Sequence, residues 1–505
     1  MKPGLPCVLA TLAIVAVGPV VGALQQPAWP TEAPPPPLPA RSVDFPPYQL
    51  RTLPNGLRVL AVPHHEQPSV SFRLLLAVGA VQEPPDRPGL ASFVATLLNQ
   101  GTTSKSAGEI ATTIDSAGGL IGVGSGNELT FVQGAVVKDR TDLALELASD
   151  LVQHPAFAEQ EIALQRKQAL SALQVGYDDP GYLAGAVFNR LVFGSHPYGR
   201  PHEGTPESIP RITQADLMAF HRDWFVPNNA LLAIVGDLTV EEAFAAAESA
   251  FGNWERRDVP EIQVPAPPER ARRVVVIDRP GSAQTAIRVG HLSIPRTHPD
   301  HITFDLAVRI LGGEGANRLF GVLRSDRGLT YGASADLNTF KNSGVVIAET
   351  STRTSSTGEA LRLMVDEFAR LRRDPVHPQE LSGAQNFIKG HFPLSIEAPG
   401  AIAEQVLARM FFGQDLAGIE TYVDEVGRVR PADIQRVSRE LLEVEDLAIV
   451  LVGDAATFVD QIRALGFVEY ERIPNSELDL NSPALRRGAP IGQNTPAPAA
   501  EVPPA

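Results

Sequence analysis

Two histidine-rich stretches are the first places in this sequence where metal or acid–base chemistry could occur. His64, His65 and Glu66 are consecutive, and His298 and His301 are separated by two residues. Imidazole and carboxylate groups are common zinc ligands and proton carriers. The first group ends a predicted strand and the second precedes a predicted helix. We interpret both groups as surface residues and not as a metal site.

The segment 87–106, RPGLASFVATLLNQGTTSKS, has the layout of a helix whose polar face carries no strong chemical group. Its apolar residues recur at helical spacing and form one stripe, made of Leu90, Phe93, Val94, Leu97 and Leu98. The opposite face holds Ser92, Ala95, Thr96 and Asn99, because residues three and four apart stack on a helix. That face has no acid, imidazole or thiol. By themselves these residues favour ordinary packing.

The composition is that of a folded, acidic chain. The sequence has 505 residues, of which 44% are hydrophobic and 20% are charged, so a large core can be buried. The formal net charge of −15 argues against nucleic acid as a partner, because such binding depends on Lys and Arg neutralising phosphates.

Residues 1–23 have the features of a signal peptide. Lys2 supplies a positive charge, residues 7–21 form a short apolar run, and residues 21–23 offer a small-residue cleavage site. We expect an exported protein, in the periplasm of a bacterium, without a transmembrane anchor after cleavage. Retention of the apolar run as an uncleaved anchor stays open. Cys7 is the only cysteine, so the processed chain has no thiol for a metal or a nucleophile.

Proline-rich segments divide the rest of the chain. Residues 24–44 are predicted to be an extended linker, and residues 256–270 a second linker. They delimit an N-terminal domain over 45–255 and a C-terminal domain over 271–475. Residues 476–505 are rich in Pro and Ala and are predicted to be a disordered tail.

The two predicted domains resemble each other. Residues 212–225 (ITQADLMAFHRDWF) match 429–442 (VRPADIQRVSRELL), and residues 229–243 (NALLAIVGDLTVEEA) match 446–460 (DLAIVLVGDAATFVD). Matched residues in both pairs, including the glycines of the two VGD motifs, lie 217 positions apart. Since chance matches would differ in offset, the pattern indicates a duplicated domain of about 210 residues.

Within each domain the pattern mixes strands and helices. The first domain begins with two strand-like runs, GLRVLAVPHH and SVSFRLLLAV, and continues with the helix over 88–99. A second helix, two further strands and long helices over 139–152 and 158–175 follow. This order predicts the α+β class, with each domain an antiparallel-rich sheet covered by helices on one face.

Several motifs resemble, in order, the insulinase, pitrilysin and mitochondrial processing peptidase family. They include LPNGLRVLAVPHHEQPSVSFRLLLAVGA, the helix RPGLASFVATLLNQGT, HPYGRPHEGTPESI, FVPNNALLAIVGDLTVEEA and LRSDRGLTYGASA. The resemblance covers roughly residues 44–471. It implies the fold of the LuxS and processing-peptidase type, two homologous domains that assemble with a partner like a clam shell.

Active members of the family carry H-x-x-E-H on this helix, where two imidazoles bind Zn²⁺ and the Glu activates water. Alignment with the motif places the two histidines at Ser92 and Thr96 and the Glu base at Ala95. A further Glu ligand, on a later helix before a DDP turn, aligns with Ala172. The resemblance therefore implies no catalytic residue, no bound metal and no cofactor in this chain, with zinc expected only in a partner.

Other family positions in the second domain are preserved. Arg324 and Tyr331, in LRSDRGLTY, match an Arg–Tyr pair that contacts substrate in the family. A surface ion pair for the arginine and core packing for the tyrosine are the alternative. LGGEGANRLF resembles a glycine-rich loop near substrate, which makes Gly312, Gly313 and Gly315 candidate binding residues, with a simple helix-ending turn as the alternative.

These features lead to a hypothesis of function. The chain is expected to be a catalytically inactive subunit that provides an H-x-x-E-H partner with peptide-binding surface and the Arg–Tyr pair. The main alternative is a non-enzymatic peptide-binding or scaffold protein that forms a homodimer. An active metalloendopeptidase with relocated ligands is a third.

Overall fold

The computed structural model describes residues 45–313 and 317–488. The predicted signal peptide and first linker, Gly315 and the end of the predicted tail lie outside the described residues. Within the described ranges, none of the helices has both the length and the apolar character needed to cross a lipid bilayer.

The first half, as described from residue 45 to residue 255, contains six strands and seven α-helices. The strands are β1 (Gln49–Thr52), β2 (Arg58–Pro63), β3 (Ser69–Leu76), β4 (Leu120–Ser125), β5 (Thr130–Val137) and β6 (Ala230–Gly236). The helices are α1 (Leu90–Leu98), α2 (Ala107–Ser116), α3 (Thr141–Gln153), α4 (Glu159–Asp178), α5 (Pro180–Phe193), α6 (Gln214–Trp224) and α7 (Val240–Phe251).

The second half repeats this content. Its strands are β7 (Arg273–Asp278), β8 (Gln284–Ser293), β9 (Ala333–Thr339), β10 (Gly344–Arg353), β11 (Ala448–Gly453) and β12 (Glu471–Pro474). Its helices are α8 (His301–Gly312), α9 (Arg318–Phe320), α10 (Thr357–Arg373), α11 (Pro378–His391), α12 (Pro399–Phe411), α13 (Gly418–Arg428), α14 (Pro431–Leu441) and α15 (Ala455–Ala464). A π-helical turn, Gly321–Asp326, follows α9.

The two halves form equivalent six-stranded sheets, ordered β1-β2-β6-β3-β5-β4 and β12-β7-β11-β8-β10-β9. In each sheet one central strand, β6 or β11, is parallel to one neighbour and antiparallel to the other. The first edge strand differs, since β1 precedes its neighbour and is antiparallel to it, whereas β12 comes last and is parallel to β7. The sheets are therefore mixed, and the predicted α+β fold of two homologous domains is confirmed.

Helices cover both faces of each sheet, and the helix on one of the two faces comes from the other half of the chain. Helices α1, α3 and α7 pack on one face of the first sheet, whereas α12 packs on its other face through Val406 and Leu407. Reciprocally, α5 packs on the second sheet through Val187 and Phe188, opposite α8, α10 and α15. The expectation that helices cover only one face of each sheet is thus wrong, because a helix from each half buries the second face of the other half's sheet.

Local sequence signals explain where several of these helices begin. Ser106 and Glu109 form a capping box at the start of α2, in which each side chain bonds the other's backbone N–H. Thr239 and Glu242 form the same arrangement at α7. Pro180 occupies the first turn of α5, where its missing N–H costs no helical hydrogen bond.

The chain does not become a free tail at residue 476. Residues 475–488 fold back on the body, with Leu478, Leu480 and Leu485 buried against α5 and the second sheet. This corrects the prediction of disorder over 476–488. The proline-rich composition of the last residues obscured three leucines whose burial stabilises this segment.

Candidate functional site

The candidate site is the face of α1 and α4 that aligns with the metal site of active family members. These two helices contact each other, and α1 also lies against the edge strand β4. Helix α1 begins after Gly89, which is left-handed (φ 92°) and lies so close to Gly204 that a Cβ would stand 2.7 Å from its Cα. Only glycine fits both constraints at this position.

The three aligned positions on α1 differ in exposure. Thr96 is exposed, and its hydroxyl donates to the carbonyl of Ser92 at 2.9 Å, as expected for residues one turn apart. Ser92 is half-buried. Ala95 is only 3% exposed and packs inside the fold, so it does not lie on the open polar face expected from its spacing. The exposed polar face of α1 therefore contains fewer residues than the helical spacing predicted.

The donor set of this face does not fit a zinc ion. Ala172 is an exposed methyl group on α4, and Ser92 and Thr96 offer neutral hydroxyls. Catalytic zinc in proteins is held by three imidazole, carboxylate or thiolate ligands. Across residues 45–313 and 317–488, no three His, Cys, Asp or Glu side chains are grouped so that they could hold a metal ion.

A buried carboxyl group that the sequence pattern did not reveal sits at the start of α1. Glu83 is 4% exposed and accepts hydrogen bonds from the backbone N–H groups of Gly89 (3.1 Å) and Ala91 (2.8 Å). Burial raises its pKa to about 8, although these two hydrogen bonds and the charge of Arg200 oppose the shift. Glu83 lies six residues before Gly89, the N-cap of α1, so the three-residue spacing of a capping box does not identify it from the sequence.

The structure brings Arg324 and Tyr331 together on an exposed surface. The guanidinium carbon of Arg324 lies 5.2 Å from the centre of the Tyr331 ring. Tyr331 is 87% exposed, so core packing of this tyrosine is wrong. Among the described residues Arg324 makes no ion pair within 4 Å. Both polar groups are thus accessible to a ligand.

The glycines of the predicted loop have different surroundings. Gly312 is buried in the last turn of α8, where a Cβ would stand 2.1 Å from the backbone nitrogen of Ala335 on β9. At Gly313 a Cβ would contact the backbone of Arg309 at 2.9 Å. Close packing explains these two glycines, and Gly315 lies outside the described residues. Their assignment to substrate binding stays a prediction.

The histidine-rich stretches do not lie wholly on the surface. His65 is exposed, and its Nδ1 is 2.6 Å from Asp237 Oδ1. His301 is half-buried beside Arg296, with 3.3 Å between the imidazole Nε2 and a guanidinium nitrogen. Burial, then the charges of Arg296 and His298, lower the pKa of His301 to about 3. His301 is therefore neutral and packs within the fold.

The sequence matches models of one peptidase family over both halves. The model described as insulinase (peptidase family M16) matches residues 58–194, and the one described as the peptidase M16 inactive domain matches residues 211–388. An uncharacterized zinc protease of Mycobacterium leprae is 26% identical over 407 residues, covering 79% of this chain and 90% of that relative. One from Bacillus subtilis is 23% identical over 411 residues, covering 80% and 97%.

Solved structures show the same architecture. A crystal structure of a peptidase M16 inactive domain from Pseudomonas fluorescens superimposes with a TM-score of 0.77 and 28% identity, covering 80% of this chain and 98% of that one. A protease from Helicobacter pylori superimposes with a TM-score of 0.74, covering 81% and 100%. At 20% identity, the second shows the shared fold alone.

Proposed function

Because the chain belongs to the insulinase family of peptidases, peptidase family M16, we propose that it is the non-catalytic subunit of a two-subunit zinc peptidase. One observation carries the proposal. The aligned metal positions hold only hydroxyls and methyls, while Arg324 and Tyr331 remain exposed and adjacent. A chain that lacks the metal donors but keeps substrate contacts fits the role of a companion to an H-x-x-E-H subunit.

In this proposal the partner carries out hydrolysis and this chain holds the peptide. The guanidinium of Arg324 and the hydroxyl of Tyr331 are hydrogen-bond donors that can bind a peptide carbonyl. Donors aimed at that oxygen gain strength as negative charge develops on it during attack. The contribution of this chain is therefore binding and electrostatic stabilisation and does not involve a metal of its own.

The interlocked fold suits a subunit of a clam-shell assembly. Because α5 and α12 each cover the sheet of the other half, the two halves of the chain form one core-connected unit. Such a unit carries both the α1–α4 face and the Arg324–Tyr331 surface on one connected core. The chamber would then open and close between the two subunits and not within this chain.

The proposal includes export from the cytoplasm. The apolar run over residues 7–21 and the small residues at 21–23 are the motivating observations. Cell fractionation followed by N-terminal sequencing tests this part. Recovery in the periplasmic fraction with a start near residue 24 would support export, whereas recovery in the cytoplasm with Met1 intact would contradict it.

Co-expression with an H-x-x-E-H homologue from the same genome tests the central claim. We expect the two chains to co-purify in a fixed ratio, and peptide hydrolysis to require both chains. After dialysis, zinc should remain bound to the partner and be absent from this chain when it is purified alone. Stoichiometric zinc and chelator-sensitive hydrolysis by this chain alone would instead indicate relocated ligands. A stable homodimer that binds peptides and no homologue would indicate a scaffold.

A further inference from the structure

The end of the described chain is tied, through a series of direct contacts, to the start of helix α1. We name residues 478–487 the C-terminal latch. Its ends meet in an antiparallel bridge between Leu478 and Arg486, and the N–H of Asp479 donates to the carbonyl of Leu485 at 3.0 Å. The latch is therefore a closed loop and not a loose tail.

One residue of the latch has a backbone conformation that is unusual for its side chain. Leu485 has φ 58°, in the left-handed region that a leucine rarely occupies. Its side chain is fully buried in the cluster formed with α5 and the second sheet. The free energy gained by burying this side chain offsets the cost of its left-handed backbone, so packing against the core determines the conformation of the latch.

A buried arginine fastens the latch to the first half. Arg190, near the end of α5, is 4% exposed, and its guanidinium donates to the carbonyls of Gly194 (3.0 Å) and of Asn481 in the latch. Among the described residues it makes no ion pair within 4 Å. A buried cation that loses one acceptor carries a desolvation penalty, so release of the latch is unfavourable.

From Asn481 the contacts continue to the start of α1. The Asn481 side-chain amide donates to the hydroxyl of Thr205 at 2.8 Å, and the same hydroxyl accepts from the backbone N–H of Ser208 at 3.1 Å. The Ser208 hydroxyl donates to the carbonyl of Pro88 at 2.8 Å. Pro88 directly precedes Gly89, the N-cap of α1. Gly89 in turn lies in close contact with Gly204, the residue before Thr205.

The latch also approaches the end of α4. The hydroxyl of Tyr177 is buried without a hydrogen-bond partner among the described residues. Burial, then the nearby charges of Glu207 and Asp479, raise the pKa of Tyr177. Arg487 of the latch forms an ion pair with Glu207 at 3.4 Å. The latch thus lies beside the end of α4 and is linked to the start of α1 through Thr205 and Ser208.

We propose that the C-terminal latch sets the position of the first turn of α1, so that loosening the latch alters the α1–α4 face while the core stays folded. Its functional importance rests on the function proposed above, in which this face borders the chamber shared with the partner. The mechanical coupling itself concerns this chain alone. A set of contacts establishes proximity, and coupling requires a measured response at the distant end.

Hydrogen–deuterium exchange on the isolated chain tests the coupling without any partner. Asn481→Ala removes the bond to Thr205, and Thr205→Val removes the shared hydroxyl at nearly constant volume. We expect both substitutions to raise amide exchange at residues 90–93 at least fivefold, with residues in α10 unchanged. Ser476→Ala, at an exposed position before the latch, is the matched control and should leave both regions unchanged.

Faster exchange confined to residues 203–208 and 478–487 would overturn the proposal, because the latch would then be local packing only. Unfolding of Asn481→Ala, seen as lost circular dichroism, would make Thr205→Val the deciding variant. Since no partner enters this experiment, its failure leaves the subunit proposal standing. Failure of co-purification, in turn, leaves the coupling unaffected.

Discussion

The guanidinium carbon of Arg324 lies 5.2 Å from the centre of the Tyr331 ring, and the ring is almost fully exposed to solvent. Exposed aromatic rings contribute little to a core, so Tyr331→Phe should change the free energy of unfolding by less than about 0.5 kcal/mol. If its hydroxyl donates to substrate, the variant should lower kcat/KM of the two-subunit complex about tenfold. Steady-state kinetics of the reconstituted complex measures this.

Arg327→Ala provides a matched control for the arginine, since Arg327 is exposed three residues away and only approaches Glu359 at 3.8 Å. We expect Arg324→Ala to lower kcat/KM at least tenfold and Arg327→Ala to lower it less than twofold. Equal effects would mean that the general positive charge of this turn matters, and not the Arg324–Tyr331 pair.

Restoring donors on the α1–α4 face should create a metal site. The variant combining Ser92→His, Thr96→His and Ala172→Glu supplies three protein ligands of the type that catalytic zinc requires. We expect about one equivalent of zinc to remain after dialysis, measured by atomic emission. Ser171→Glu in place of Ala172→Glu moves the carboxylate by one helical position and should bind zinc much more weakly. Equal retention by both variants would refute the alignment at Ala172.

The repeat offset of 217 residues identifies equivalent elements of the two halves from the sequence alone. The matched segments contain β6 and β11 and the helices α6 and α14, and these strands hold the same position in the two sheets. In the first half, β2 to β5 and α1 to α4 agree within three residues with the strands and helices expected from the sequence, whereas no expectation covers β1 or α5. Strong period-two and period-3.6 patterns made this possible, since each pattern is local to its element.

Long-range relationships could not be predicted in this way. Periodicity shows that α5 and α12 have apolar faces but not which sheet each face covers. A second repeat, with Pro180 and Gly194 matching Pro399 and Gly413 at an offset of 219, marks these two helices as equivalents. The pairing of Glu83 with α1 was likewise hidden, because its partners are backbone N–H groups that no side-chain motif encodes.

The exchange of helices predicts that damage in one half destabilises the other. Phe188 belongs to the first half but is fully buried against the second sheet, where a Cβ on Gly290 would stand 2.9 Å from its ring. Phe188→Ala should lower the free energy of unfolding by about 3–5 kcal/mol through lost contacts and a cavity. Urea denaturation followed by circular dichroism measures the change.

Trp224 and Trp254, both buried in the first half, report on whether the halves unfold together. For Phe188→Ala we expect the tryptophan fluorescence and circular dichroism transitions to shift by the same amount and to coincide. Met218→Ala, at an exposed position on α6, should shift neither by more than about 0.5 kcal/mol. Separate transitions would show that the exchanged helices do not couple the halves.

The buried Glu83 predicts a specific pH dependence of stability. Its pKa is about 8 in the folded chain against an ordinary value of 4.5, so between these values the folded state binds more protons than the unfolded state. Stability attributable to Glu83 is therefore fully present below pH 4.5 and falls as pH rises towards 8, with a limiting slope of about 1.4 kcal/mol per pH unit.

Glu83→Gln cannot ionise, so the variant should lack this pH-dependent part of the free energy of unfolding. The difference in the free energy of unfolding between wild type and variant, measured in urea from pH 5 to 9, isolates it from the titration of other groups. Glu146→Gln, at an exposed position on α3, should run parallel to wild type. Parallel curves for Glu83→Gln as well would mean that the carboxyl at the start of α1 is ionised across the whole range, its charge balanced by Arg200 and the two helix N–H groups.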